Sequence, residues 1–280
     1  MLNEYSIYNL YVLIARERTK VDVNTIKIQK PFLRISEKTK SLNAVESENH
    51  TVLSHNKVTG WSVNFPVQST CQPTKVCSKT CYALFGPVTW KNSLNKQKVN
   101  EYLCKDSPEI FAERVIKECV KKISRDKHFF LRWNGTGDLF PDSIRAIELI
   151  SSALPDLPIW LVTRIPKYAK EVILLNKTNV FVHFSLDSNS LERRASLEAS
   201  LPELINKQLF FSYQCDKDEI YDPVARVSVV FANRYKSGAI DHVDESICPL
   251  NYSDDISGMC NKCRRCFNGS AVSHRELISL

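Results

Sequence analysis

The stretch HFFLRWNGTGDLFPDSIRAIELISSALPDLPIWLVTR, residues 128–164, decides the fold. HFFLRW reads as a strand that runs straight into the turn NGTGD. DSIRAIELISSAL reads as a helix, with Asp142 or Ser143 suited to capping its start. PIWLVTR reads as a second strand. One strand–loop–helix–strand unit of this kind implies parallel pairing.

The unit repeats on both sides. Upstream, GWSVNFPV alternates Trp61, Val63 and Phe65 with small or polar residues, a strand pattern. A helical region over about 89–124 follows, broken near Asp106-Ser-Pro. There Ser107 suits an N-cap and Pro108 a first helical position. Phe111, Val115, Ile116, Cys119 and Val120 recur on one helical face. Downstream, helix KYAKEVILLN, strand NVFVHFSLD, helix SNSLERRASLEASL and strands QLFFSYQ and RVSVVFANRY complete the order. The expected fold is α/β: a partial (β/α) barrel of about six mainly parallel strands, with a doubly wound open sheet as the alternative. Residues 1–50 read as an N-terminal extension, 51–245 as the barrel and 246–280 as a cysteine-rich tail.

Composition sets limits. The 280 residues include 38 Lys and Arg against 31 Asp and Glu, a net charge of +7 that reads as spread over solvated helix faces. Nucleic acid is thus allowed as a partner but not required. No apolar run is long enough to span a membrane, and the first residues lack a signal peptide's basic start and cleavage site. Clustered cysteines without such a signal point to the cytoplasm and to metal binding.

Seven of the ten cysteines fall into two groups. Cys71, Cys77 and Cys81 share one loop, a set that leaves a fourth ligand position open. Three thiolates on one loop suit a 4Fe–4S cluster; zinc completed by a distant residue is the alternative. Cys260, Cys263 and Cys266 follow the C-x₂-C-x₂-C run of ferredoxin-type cubanes, and Cys248 supplies a fourth thiolate. Zinc is open there too. Cys119 reads as core, and Cys215 sits at a strand end.

Sites in such folds form at the C-terminal ends of the strands. The ends here carry the three loop cysteines; then Asn134, Gly135, Thr136, Gly137 and Asp138; then Thr163 and Arg164; then Ser185 and Asp187, with His183 on the strand; then Gln214; then Asn233 and Arg234. NGTGD is too short for a phosphate loop and lacks its Lys-Ser/Thr. It reads either as a loop holding a ligand's amino group, with Asp138 as acceptor, or as a tight turn.

Two resemblances rest on these residues. The chain resembles the radical S-adenosylmethionine (SAM) enzymes, in which a three-cysteine loop follows the first barrel strand. A Gly-Glu-type motif ends the second strand, and a ribose-contacting polar residue lies at the fourth. The matching positions are Cys71/Cys77/Cys81, Gly137-Asp138, and Ser185 or Asp187. The cysteine spacing, x₅ and x₃, departs from that superfamily's usual x₃ and x₂. More narrowly, the chain resembles the phage and plasmid gene product 88 family. This match rests on Asn56-Lys57, Asn64-Phe65-Pro66, Thr70-Cys71, Cys81-Tyr82-Ala83, Arg132 with Gly137-Asp138, Thr163-Arg164 and the tail cysteines.

The radical-SAM resemblance implies an enzyme with two 4Fe–4S clusters that reductively cleaves SAM. Catalytic positions would be Cys71, Cys77, Cys81 and Asp138. Cofactor-binding positions would be Gly135, Gly137, Asp138, Thr163, Arg164, Ser185, Asp187 and Asn233. An electron donor such as a flavodoxin or ferredoxin would be the partner; no membrane is expected. The alternative is a SAM-independent iron–sulfur or zinc protein acting as a redox or nucleic-acid-binding factor.

Overall fold

The computed structural model describes residues 50–126, 128–215, 227–231, 248 and 257–268. Two short strands open it, β1 (Leu53–Asn56) and β2 (Gly60–Val63), paired as an antiparallel hairpin. Two short helices carry the first cysteine group, α1 (Val67–Thr70) and α2 (Lys75–Thr80). Helices α3 (Lys91–Asp106) and α4 (Pro108–Ile123) then lead to β3 (Leu131–Trp133). Alternation continues through α5 (Pro141–Ala153), β4 (Ile159–Thr163), α6 (Pro166–Leu174), β5 (Val180–Leu186), α7 (Leu191–Ser200), β6 (Leu209–Gln214) and β7 (Val229–Phe231). In the tail, α8 (Met259–Cys263) and α9 (Arg265–Asn268) are single turns.

The strands lie in chain order, β1 to β7, and every pair from β2 onward is parallel. This order decides between the two expected folds. A doubly wound sheet reverses direction at a switch point, whereas a barrel advances the same way at each crossover. The sheet advances without reversal, and the successive helices α4, α5, α6 and α7 pack in chain order beside it. Among the described residues no helix is long and apolar enough to cross a membrane.

Strand period sorts the side chains. Val63, Leu131, Trp133, Ile159, Leu161, Val182, Phe184, Leu209 and Phe211 face the helices and form the main core. Cys119 lies buried there, as its helical face predicts, and so do Cys104 and Cys215. The opposite, concave face carries Ser62, Arg132, Trp160 and Phe181 in one row, Val162, His183 and Phe210 in the next, and Ser185 and Ser212 above them. The tail covers part of this face. Phe267 stacks on Phe130 at 4.2 Å, and the Cys266 carbonyl lies 2.9 Å from His183 Nε2. The Gly258 amide donates to the Lys57 carbonyl. Protein contacts of its own therefore hold the described part of the tail.

Two capping expectations shift. Pro108 does start α4, but the Ser107 hydroxyl turns to Asp106 and makes no cap bond. Helix α5 begins at Pro141, and Ser143 caps from inside the first turn: its Oγ accepts from the Phe140 amide at 3.0 Å.

Candidate functional site

The loop from Val67 to Leu84 follows β2 and lies over the C-terminal ends of the parallel strands. Its cysteines are half-buried. A neighbour of each cysteine ties the loop down. Thr70, beside Cys71, accepts from the Asp138 amide at 3.0 Å. Thr74 caps α2 by accepting from the Cys77 amide at 3.1 Å, and its hydroxyl donates to Asp187 Oδ2. Tyr82, beside Cys81, donates to the Gly135 carbonyl and accepts from Arg132 Nη2 at 3.0 Å. The irregular spacing of the cysteines thus matches a loop pinned at three points to the ends of β3 and β5.

Both glycines of NGTGD serve close packing. A Cβ on Gly135 would lie 2.2 Å from Asn64 Oδ1, and one on Gly137 would lie 2.8 Å from the Phe65 carbonyl. Gly137 also sits at φ +82°, which disfavours any other residue. The glycines draw the turn against β2 and Thr70, which agrees with the tight-turn reading of NGTGD.

Asp138 and Asp187 are buried and well bonded. Asp138 Oδ1 accepts from Thr163 Oγ1 at 2.6 Å and from the Leu139 amide; Oδ2 accepts from the Arg164 amide. Burial still dominates and raises its pKa to about 6, against the lowering effect of those donors and of Arg164. Asp187 is fully buried. Its carboxylate holds Arg164 Nη1 at 2.6 Å and also accepts from Thr74, Ser190 Oγ and the Asn189 amide. Thr163, Arg164, Asp138 and Asp187 therefore form one network joining the ends of β3, β4 and β5 to the cysteine loop.

Other polar groups on the concave face have no partner. Asn134, 3% exposed and at φ +57°, leaves both side-chain polar atoms unbonded. Ser212 Oγ and Trp160 Nε1 are unbonded too. His183 is held neutral, its pKa lowered to about 4 by burial. Facing a carbonyl, its Nε2 is the donor, so Nδ1 is a bare, unbonded acceptor. Buried polar atoms without partners mark a place that a ligand or water completes.

The tail cysteines have a different setting. Cys248, Cys260, Cys263 and Cys266 line one apolar cavity with Trp160 and Phe267. Burial pushes the Cys260 thiol up to about 11, and Cys266 well above its usual value. At the loop, burial and then Asp138 push Cys71 up to about 12; Cys77 is also raised by burial. Cys77 and Cys81, once ionised, would push Cys71 up further, as Cys248, Cys260 and Cys263 would push Cys266, so each group is spatially gathered. Among the described residues no three Cys, His, Asp or Glu side chains close tightly enough for a single metal ion. Ser185 and Asp187 sit where the strand-end reading placed them. Gln214 bonds to the Phe231 carbonyl at 3.2 Å, and Asn233 and Arg234 lie outside the described residues.

Thr74 was not singled out in the sequence, and Thr70 was named only within the Thr70-Cys71 motif, without its pinning role. Their signal was position alone, each standing one to three residues from a cysteine.

No curated protein and no solved structure matches the chain. Residues 32–269 fit a family model described as Gene product 88. That match takes in both cysteine groups, the NGTGD turn and the Thr163-Arg164 strand end, and the chain belongs to the gene product 88 family.

Proposed function

We propose that this chain is an iron–sulfur protein of radical-SAM type, with a reactive cluster on Cys71, Cys77 and Cys81 and a second cluster on Cys248, Cys260, Cys263 and Cys266. The observation that carries the reading is the three-thiol loop above the strand ends of a parallel partial barrel, beside the unpartnered Asn134. The donor sets suit cubanes. A cubane spreads its thiolates over separate irons, wider than the tetrahedron around one zinc.

When bound, a cubane with an open iron and SAM supply one-electron cleavage of a sulfonium and a hydrogen-abstracting radical. The chain's own residues do the rest. Thr70, Thr74 and Tyr82 fix the loop, and Asn134 and Ser185 offer neutral hydrogen-bonding groups at the barrel mouth. The cavity beside Trp160 and Phe267 would hold the second cluster. An electron donor such as a flavodoxin or ferredoxin would reduce it.

One observation favours a second reading, an iron–sulfur protein that works without SAM. Asp138 and Asp187, two of the expected SAM contacts, bond mainly to the protein itself. The test is the electron paramagnetic resonance spectrum of the reduced, cluster-loaded chain with and without SAM, together with release of 5′-deoxyadenosine. A changed spectrum and release of the nucleoside support the first reading. An unchanged spectrum and no release leave the second.

A further inference from the structure

Charge is less evenly spread than its totals suggest. From Asn49 to Asn100 the chain has six lysines and no Asp, Glu or Arg, so that one stretch carries most of the net charge of +7. The same stretch carries the most exposed aromatic side chains among the described residues: Tyr82 at 59%, Phe85 at 62% and Trp90 at 67% exposure. Lys75, Lys79 and Lys91 flank them and are exposed as well.

These rings stand on ordered backbone. Tyr82–Leu84 and Gly86–Thr89 are 3₁₀ turns. The Trp90 amide donates to the Pro87 carbonyl at 3.2 Å, and Gln97 Nε2 donates to the Val88 carbonyl at 3.0 Å, which fastens the turns to α3. The Tyr82 hydroxyl is fixed between Gly135 and Arg132. Large rings left in water on a fixed frame forgo burial, and such a patch marks an interaction site.

We propose that Lys75–Lys91 is a platform for single-stranded nucleic acid, whose bases stack on Tyr82, Phe85 and Trp90 while its phosphates meet Lys75, Lys79 and Lys91. Such strands offer one charge and one π-face per nucleotide, which is the pairing this surface presents. An acidic protein would match the lysines too, and poly-glutamate is the competitor that separates it from a strand; what the surface adds to its charge is three exposed rings, the groups on which bases stack. The platform lies beside Cys81, so a bound strand passes the mouth of the candidate site. The proposal does not rest on either cluster.

Binding of a fluorescein-labelled oligo-dT of about 16 nucleotides to the full chain, followed by anisotropy, is the test. Phe85→Ala with Trp90→Ala should weaken binding at least ~10-fold, the loss expected from two stacked bases. Lys75→Gln, Lys79→Gln and Lys91→Gln together should reduce the salt slope by about 2. Poly-glutamate and a duplex of equal length should displace the strand at least ~10-fold less well than unlabelled oligo-dT. Oligo-dT should quench the tryptophan emission of the unaltered chain, and Trp90→Phe, which keeps Trp61, Trp133 and Trp160, should remove that quenching. Equal displacement by poly-glutamate would reassign the surface to an acidic protein and overturn the proposal. So would unquenched emission, or wild-type affinity in the aromatic variant.

Discussion

Cys71, Cys77 and Cys81 ride on a loop whose neighbours reach the strand ends through polar bonds, whereas the tail cysteines line an apolar cavity behind Phe267 and Trp160. The first setting is charged and half-open. Asp138, Asp187 and Arg164 stand within electrostatic reach of Cys77. The second is packed against aromatic rings, with Cys248 and Cys263 buried, Cys260 and Cys266 half-buried, and Arg264 and Arg265 in the lining. The contrast shows two ways to place thiols: a hydrogen-bonded loop at the strand ends, and a lining packed on aromatic rings of the sheet face. Substituting the fasteners of each region tests whether the two are as separate as this contrast says.

The largest effects belong to the central fastener of each region. Asp187→Ala leaves Arg164 without its buried partner and frees Thr74, and should cost about 3–5 kcal/mol in urea unfolding. Phe267→Ala removes the stacked tail anchor and should cost about 3–4 kcal/mol if tail and barrel unfold together. The contrast fails if either change shifts hydrogen exchange in the other region as much as in its own.

The next effect is one of pH. The folded-state pKa of Asp138, about 6, lies above the ordinary carboxylate value of 3.8. The folded state therefore holds this proton more tightly. The stability it contributes is fully present below pH 3.8 and is lost as pH rises through 6. Unfolding midpoints from about pH 3 to 7 should show that loss, about 3 kcal/mol, and Asp138→Asn should abolish it. A variant that keeps the same slope would show that another group titrates.

Smallest is Tyr82→Phe, which breaks the bonds to Gly135 and Arg132 and should cost about 1 kcal/mol. Faster proteolysis of the cysteine loop, with the tail unaffected, is the accompanying expectation. Equal protection of the loop would remove Tyr82 from the set of pins.

Much of the fold was legible because the strands are apolar runs bounded by turns. NVFVHFSLD and QLFFSYQ gave β5 and β6 almost to the residue. β1 was missed: LSHN is polar and too short to signal itself, and its pairing with β2 across a four-residue register makes it a strand. Sequence could list the polar strand ends but could not say how they bond. Asp187 and Asp138 looked like ligand contacts because they stand at strand ends. The structure bonds them to Thr74, Arg164 and Thr163, partners distant along the chain and invisible to spacing. The unpartnered pair on Asn134 was beyond reach for the same reason, since an unmade bond leaves no mark in a sequence.

The central claim is that the two groups hold two clusters independently. Iron and acid-labile sulfide per chain, measured after anaerobic purification, test it most directly. Two independent clusters give about eight irons in the wild type and about four when Cys71, Cys77 and Cys81 are all replaced by Ala, with about four again when Cys260, Cys263 and Cys266 are replaced. One zinc without sulfide, or loss of all iron from either triple variant, would contradict it.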